Sequence, residues 1–246
     1  MRIDVLGVNF HQITMAEAVA EGKKWLSSTG FHAVVTPNPE FILLAQKNKA
    51  FCQCLNHADL VLPDGIGVIY AAKILGTPLQ ERVPGIEFSQ GMLESLGETG
   101  GRLFLLGAKE GVAEKAGENI ARDYPDLTIC GTYHGYFTAE EEEEVAQKVA
   151  QAKADVIFVC LGAPRQELFC QKWGETMGVK VGIGLGGALD VYAGTVNRAP
   201  QFWISLNLEW FYRLMKEPKR LGRMVKLPLV LWQAFWQRGK KPKNKS

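Results

Sequence analysis

The 246-residue sequence lacks several features that define common classes of protein. It contains no Asp-x-Asp motif, the carboxylate pair that would hold a divalent metal beside a diphosphate. Its five cysteines are odd in number and form no Cys-x-x-Cys pair, which argues against a zinc site or a disulfide framework. The first ten residues, MRIDVLGVNF, lack a signal-peptide core, and no apolar run is long enough to span a membrane. We therefore expect a cytoplasmic protein without a resident metal or other cofactor.

The charge is distributed unevenly along the chain. Residues 201–246 carry 11 Lys/Arg and 2 Asp/Glu, whereas residues 1–200 carry 17 Lys/Arg and 24 Asp/Glu. No linker composition marks a second boundary near Gly100. We therefore predict a core over residues 1–200 and a helical, basic C-terminal appendage over residues 201–246.

The appendage is also rich in tryptophan, with four of the six in the chain. Basic side chains bind anionic lipid head groups, and indole rings favour the membrane interface. Nucleic acid is the rival partner, but the aromatics lie within aliphatic runs such as LPLVLWQAFW, which favours a membrane surface. The composition predicts peripheral attachment to the inner face of the plasma membrane and no nucleic-acid partner.

The core alternates between strand-like and helical patterns. Short apolar runs at residues 3–10, 31–35, 60–62, 102–106, 127–131, 155–161 and 179–187 are predicted strands. Amphipathic segments between most of them are predicted helices. Such alternation predicts an α/β fold with a mostly parallel, Rossmann-like sheet and flanking helices.

The segment DLVLPDGIGVIYAAKILG, residues 59–76, places a carboxylate where a strand meets a helix. Leu60 to Leu62 is strand-like, Pro63-Asp64-Gly65 is a turn, and helical spacing resumes at Ile66. Open α/β sheets bind ligands at this edge, and the nearby helix N-terminus favours an ionised carboxylate. Asp64 is thus a candidate general base, with an N-cap aspartate as the alternative.

Two further strand-to-helix junctions carry polar side chains. Thr36 and Asn38 lie in TPNPE, where N-capping is again the alternative role. Gln166 and Glu167 lie in LGAPRQE, in the first turn of the following helix. The sequence predicts that these side chains meet Asp64 at one edge of the sheet.

Candidate phosphate-binding groups come from loops. Arg82 beside Pro84-Gly85 can bind a phosphate, and the run GIGLGGALD lets a diphosphate approach the backbone. The glycine spacing in that run is not a clean dinucleotide fingerprint, and it lies late in the chain, so a nicotinamide site is weakly indicated.

The motifs VVTPNPE, LPDGIGV, RVPG, LGAPRQE and GLGGALDVYAGTVNRAP occur in the order seen in the WecG/TagA/CpsF family of bacterial glycosyltransferases. The sequence resembles this family over nearly its whole length, and its basic aromatic tail is most similar to the TagA branch of wall teichoic acid synthesis. The resemblance implies transfer of N-acetylmannosamine from UDP-N-acetylmannosamine to undecaprenyl-diphosphate-N-acetylglucosamine, with inversion and a β-1,4 linkage. Other branches use other donors, such as UDP-N-acetylmannosaminuronic acid.

The residues suit this chemistry. We assign Asp64, Thr36 and Gln166 to the catalytic group, with Asp64 as the base. Arginines, loop amides and helix N-termini are expected to replace a metal at the leaving diphosphate. The predicted substrate-binding residues are Asn38, Arg82, Gly85, Gly162, Glu167, Gly186, Gly187, Asp190, Arg198, Arg213, Arg220 and Arg223.

Other function classes stay open at this point. A nucleotide-dependent oxidoreductase or epimerase would use the glycine loop, and a membrane-docking module would use only the tail. The sequence also leaves open whether the chain forms a homo-oligomer, and whether the tail arginines complete the active site or the tail only anchors.

Overall fold

The computed structural model describes residues 1–196, 199–200, 202–203, 211–212, 215 and 226–240. The strands are β1 (Arg2–Val5), β2 (Val8–His11), β3 (His32–Val35), β4 (Leu60–Val61), β5 (Arg102–Gly107), β6 (Thr128–Tyr133), β7 (Val156–Cys160) and β8 (Val181–Gly184). The helices are α1 (Met15–Trp25), α2 (Pro39–Lys47), α3 (Lys49–His57), α4 (Ile66–Ile74), α5 (Gly85–Thr99), α6 (Val112–Asp123), α7 (Glu142–Ala152), α8 (Arg165–Met177), α9 (Ala188–Tyr192) and α10 (Lys226–Lys240).

Six of the strands form one parallel sheet in the order β4-β3-β8-β7-β5-β6. Every residue of β7 (VIFVC) is buried, as expected for a strand in a parallel sheet that is covered on both faces. The predicted α/β class with a mostly parallel sheet is confirmed.

The two faces of the sheet have separate cores. One face packs against α1, α5, α6 and α9, and alternate strand residues such as Val156 and Phe158 point to it. The other face packs against α2, α3, α4, α7 and α8, and Ile157 and Val159 point to it. After β8 the chain continues into α9 on the first face. After the neighbouring strands β3 and β7 it continues into α2 and α8 on the other face. Such a divergence opens a crevice at the carboxyl ends of the strands.

The predicted single strand at residues 3–10 is wrong. Strands β1 and β2 form an antiparallel hairpin, with Val5 paired to Val8. The two turn residues, Leu6 and Gly7, have φ of 57° and 96°. Those angles match the two-residue turns that fit the twist of paired strands, so the chain reverses direction inside the predicted strand.

Two capping-box patterns in the described part of the chain have different outcomes. At α1, the sequence Thr14-x-x-Glu17 forms a capping box, in which each of the two side chains accepts the backbone N–H of the other residue. The same pattern at Thr138 and Glu141 does not open a helix, because α7 begins at Glu142 with Glu141 as its N-cap. At that turn the Thr138 N–H donates to the Glu141 carboxylate at 2.6 Å.

Helix α10, from the predicted appendage, packs onto the core against α4 and α2. Val230 and Ala234 are fully buried in that contact, and Gln46 Nε2 donates to Gln233 Oε1 at 3.0 Å. Lys226 pairs with Glu40. In the described part of the chain, no helix combines the length and apolar character needed to cross a membrane. The domain boundary near residue 200 stays a prediction.

Candidate active site

Three of the motifs identified in the sequence meet at the carboxyl edge of the sheet. The N–H of Asp64 donates to the Pro37 carbonyl at 3.1 Å, and the N–H of Val83 donates to the Pro63 carbonyl at 2.9 Å. Backbone bonds thus tie TPNPE to the PDG turn, and the PDG turn to RVPG. The position of Asp64 is fixed by main chain on both sides.

Asp64 itself is half-buried and precedes the helix cap. Helix α4 begins at Ile66 with Gly65 as its N-cap, so the alternative role of Asp64 as an N-cap is wrong. A Cβ built on Gly65 would lie 3.6 Å from Pro39 Cδ and 3.8 Å from Asn38 Cβ. The turn that carries Asp64 therefore lies against the first residues of α2, as predicted for two neighbouring strand ends.

Asn38 caps α2. Its Oδ1 accepts the N–H groups of Glu40 and Phe41, at 2.9 and 3.4 Å. The capping role considered in the sequence is confirmed, and a sugar contact by Asn38 stays a prediction.

Thr36 is buried and bound to the next strand. Its hydroxyl donates to the Gly184 carbonyl at 3.0 Å, which joins the carboxyl ends of β3 and β8. A Cβ at Gly85 would lie 3.0 Å from Thr36 Cγ2 and 3.1 Å from its Oγ1. Gly85 therefore lets the start of α5 approach Thr36, a packing reason for the glycine of RVPG.

Gln166 joins the two loops beside β8. Its Oε1 accepts the N–H of Gly162 at 3.1 Å and the N–H of Gly186 at 3.0 Å. Its Nε2 donates to Glu167 Oε1 at 2.6 Å, and both side chains are buried. A diphosphate would reach the N–H groups of Gly162 and Gly186 only by displacing the Gln166 amide. The sequence pattern gave no indication that these N–H groups are already bound.

Among the described carboxyl groups with a resolved pKa shift, that of Glu167 has the largest shift. Burial raises the pKa of Glu167 to about 7, and the hydrogen bond from Gln166 offsets part of the rise. The Oε2 atom is buried and has no hydrogen-bond partner within the described part of the chain. Glu167, predicted to bind substrate, is directed into the protein.

Asp190 and Tyr192 lie in the short helix α9, which follows the loop after β8. The Thr195 hydroxyl approaches Asp190 Oδ1 at 3.4 Å. The Tyr192 hydroxyl lies 2.7 Å from Ser89 Oγ and so joins α9 to α5. Tyr192 lies inside the GLGGALDVYAGTVNRAP motif but is not among the site residues predicted from the sequence.

Arg165 was also missed. Its guanidinium donates to the carbonyls of Gly135 and Phe137, at 2.9 and 2.6 Å, and lies over the Phe137 ring, 4.1 Å from its centroid. It therefore fixes the loop after β6 at the edge of the site. Its place beside Gln166 in LGAPRQE could have indicated it.

The remaining predicted residues divide into two groups. Arg82, half-buried, and Gly187, exposed, lie in loops at the same edge of the sheet. Arg198, Arg213, Arg220 and Arg223 lie outside the described residues. Among the described residues, no three His, Cys, Asp or Glu side chains are grouped so that they could hold a metal ion.

Comparison with known proteins decides the family. The model of the glycosyl transferase WecG/TagA/CpsF family matches residues 3–244. The chain belongs to the WecG/TagA/CpsF family of glycosyltransferases. Membership is consistent with the convergence of the family motifs at one edge of the sheet, and it disfavours an oxidoreductase.

Two relatives within the family carry the same name, N-acetylglucosaminyldiphosphoundecaprenol N-acetyl-beta-D-mannosaminyltransferase. The chain is 40% identical to the protein from Bacillus spizizenii over 195 residues, 79% of this chain and 75% of the relative. It is 35% identical to the protein from Staphylococcus aureus strain MRSA252 over 234 residues, 94% of this chain and 91% of the relative. The similarity to the second relative therefore extends through most of the appendage.

Proposed function

We propose that this glycosyltransferase moves N-acetylmannosamine from UDP-N-acetylmannosamine to undecaprenyl-diphosphate-N-acetylglucosamine, with inversion and a β-1,4 linkage, in wall teichoic acid linkage-unit synthesis. The observation that carries the proposal is the similarity to relatives of that name over 94% of the chain. The same similarity favours this donor over UDP-N-acetylmannosaminuronic acid.

An inverting transfer needs a base for the acceptor hydroxyl and stabilisation of the leaving UDP. Asp64 is suited to be the base, because its backbone is fixed at the carboxyl edge and it does not serve as the N-cap of α4. Arg82, Asp190 and Gly187 are proposed to meet the nucleotide sugar. The tail arginines are proposed to meet a diphosphate.

We further propose that α10 contacts the anionic membrane that holds the acceptor. Opposite its buried face it exposes four large apolar side chains, Leu229, Trp232, Phe235 and Trp236. The two indole rings stack at 6.4 Å between centroids. We call these four residues the α10 apolar face. Exposed aromatics beside Arg238 and a lysine-rich end suit the interface of an anionic bilayer.

A transfer assay tests the reaction. Purified protein should move radiolabel from UDP-N-acetylmannosamine onto a synthetic short-lipid diphosphate-N-acetylglucosamine, and glycosidase analysis should find a β linkage. UDP-N-acetylmannosaminuronic acid and UDP-N-acetylglucosamine serve as competing donors. Faster transfer from either of them would reject the proposed donor while leaving family membership intact.

Transfer should continue in excess EDTA. The sequence has no Asp-x-Asp motif, and cationic side chains with helix N-termini can stabilise a leaving diphosphate in place of a metal. The measurement is the initial rate with and without chelator, followed by addition of magnesium or manganese. A rate that collapses with EDTA and returns with either metal would contradict the proposed diphosphate site.

A further inference from the structure

A single amide side chain holds together the loops that follow β7 and β8. Gln166 Oε1 accepts one N–H from each loop, those of Gly162 and Gly186. Only one of the two amide orientations allows this, because the flipped amide would direct its NH₂ at two N–H donors. The conformation of both loops therefore depends on what fixes the Gln166 amide.

Glu167 fixes it. Its Oε1 accepts from Gln166 Nε2 at 2.6 Å, and an acceptor in that place selects the observed orientation. The bare backbone of Gly184 makes room for the pair, since a Cβ there would lie 2.9 Å from Gln166 Nε2 and 3.1 Å from Glu167 Oε1. The pair is therefore packed as well as hydrogen-bonded.

The buried position of the Glu167 carboxyl group destabilises the fold. Its second oxygen is buried without a partner among the described residues, beside a cavity of about 180 Å³ that Cys54, Cys170 and Glu175 also line. Burying an ionisable group with one unsatisfied oxygen destabilises a fold more than an apolar side chain of similar size. Its contribution must therefore lie in something other than stability.

We propose that Glu167 is a positioning residue that acts through Gln166 to hold the Gly162 and Gly186 loops in the conformation that receives the nucleotide sugar. The inference rests on the proposed function for its effect on activity. It assigns Glu167 an indirect role, in contrast to the substrate contact expected from sequence.

A double-mutant cycle tests the positioning role. Glu167→Met keeps the volume but removes the acceptor, and should lower kcat/KM about 10-fold to 100-fold, as misplaced active-site groups do. Glu167→Gln retains an acceptor oxygen and should stay within about 3-fold of wild type. In a Gln166→Ala background, Glu167→Met should change kcat/KM by less than about 3-fold, because the two residues act as one unit. Glu175→Ala, at the same cavity, is the matched control and should behave as wild type.

Two further measurements do not depend on activity. Amide hydrogen exchange at Gly162 and Gly186 should be faster in Glu167→Met and near wild type in Glu167→Gln. Because the pKa of Glu167 rises from 4.5 in the unfolded chain to about 7 in the folded protein, the folded state binds its proton more tightly. The wild-type free energy of unfolding should therefore fall relative to Glu167→Gln as pH rises across that interval.

The outcomes separate this inference from the proposed function. Additive losses in the cycle, or unchanged exchange at both glycines in Glu167→Met, would overturn the positioning role. If wild type transfers no sugar while exchange responds to Glu167 as described, the proposed function fails and the structural part of the inference stands.

Discussion

Asp64→Asn should reduce kcat by about two to four orders of magnitude, the usual contribution of a general base. The substitution keeps the shape of the side chain and removes its ability to accept a proton at neutral pH. Gly65, and not Asp64, is the N-cap of α4, and asparagine keeps one acceptor oxygen at position 64, so thermal stability should be nearly unchanged. Single-turnover transfer and calorimetric UDP binding separate chemistry from binding, and UDP affinity should be retained.

Asp59→Asn is the matched control for Asp64→Asn. Asp59 precedes β4, whereas Asp64 follows it, so the two carboxylates lie at opposite ends of one strand. Asp59 Oδ2 accepts the Ala33 N–H at 2.8 Å, a bond that an asparagine oxygen can also accept. Transfer by the control should match wild type. If Asp64→Asn retained more than about a third of wild-type kcat, the base would lie elsewhere.

Replacing Trp232, Phe235 and Trp236 of the α10 apolar face with serine should weaken binding to anionic vesicles on the order of 100-fold. Each of these exposed side chains would lose a membrane contact worth about 1 kcal/mol or more if it is half-buried at the interface. Deleting α10 would be a poorer test, because Val230 and Ala234 are buried against the core. The measurement is sedimentation with vesicles of phosphatidylglycerol and phosphatidylcholine.

The control for the membrane experiment is Tyr136→Ser, which removes an aromatic side chain that is 72% exposed and lies on the loop after β6, away from α10. It should leave vesicle binding unchanged. Transfer to a water-soluble acceptor should survive the triple substitution, since the α10 apolar face faces solvent. Undiminished vesicle binding by the triple variant would show that membrane attachment uses other residues.

The sequence predicted the elements of the sheet better than the contacts of the site. The strand-turn-helix pattern around Asp64 is local, and the turn residues Pro63 and Gly65 mark it directly. The hydrogen bonds of Gln166 to Gly162 and Gly186 depend on a side-chain orientation and on a loop 20 residues away. No periodicity encodes such a contact.

The ends of the chain were harder to predict for a similar reason. The hairpin of β1 and β2 depends on positive φ at Leu6 and Gly7, and leucine gives no indication of that angle. The apolar positions of α10 surround the whole helix, so the pattern could not distinguish the face that packs on α2 and α4 from the face left exposed.

The packing of α10 determines how far a membrane bound by this helix would lie from Asp64. The helices on which it rests, α2 and α4, are the ones that begin beside Asn38 and Asp64, and packed helices lie about 8–10 Å apart. A bilayer bound by the α10 apolar face would thus be separated from the Asp64 edge by little more than two helix layers, roughly 20 Å. The acceptor's diphosphate and first sugar could span much of that gap while its hydrocarbon chain stayed in the membrane. The helix would then act as a spacer of fixed height, which would select acceptors by the distance between lipid and reacting hydroxyl.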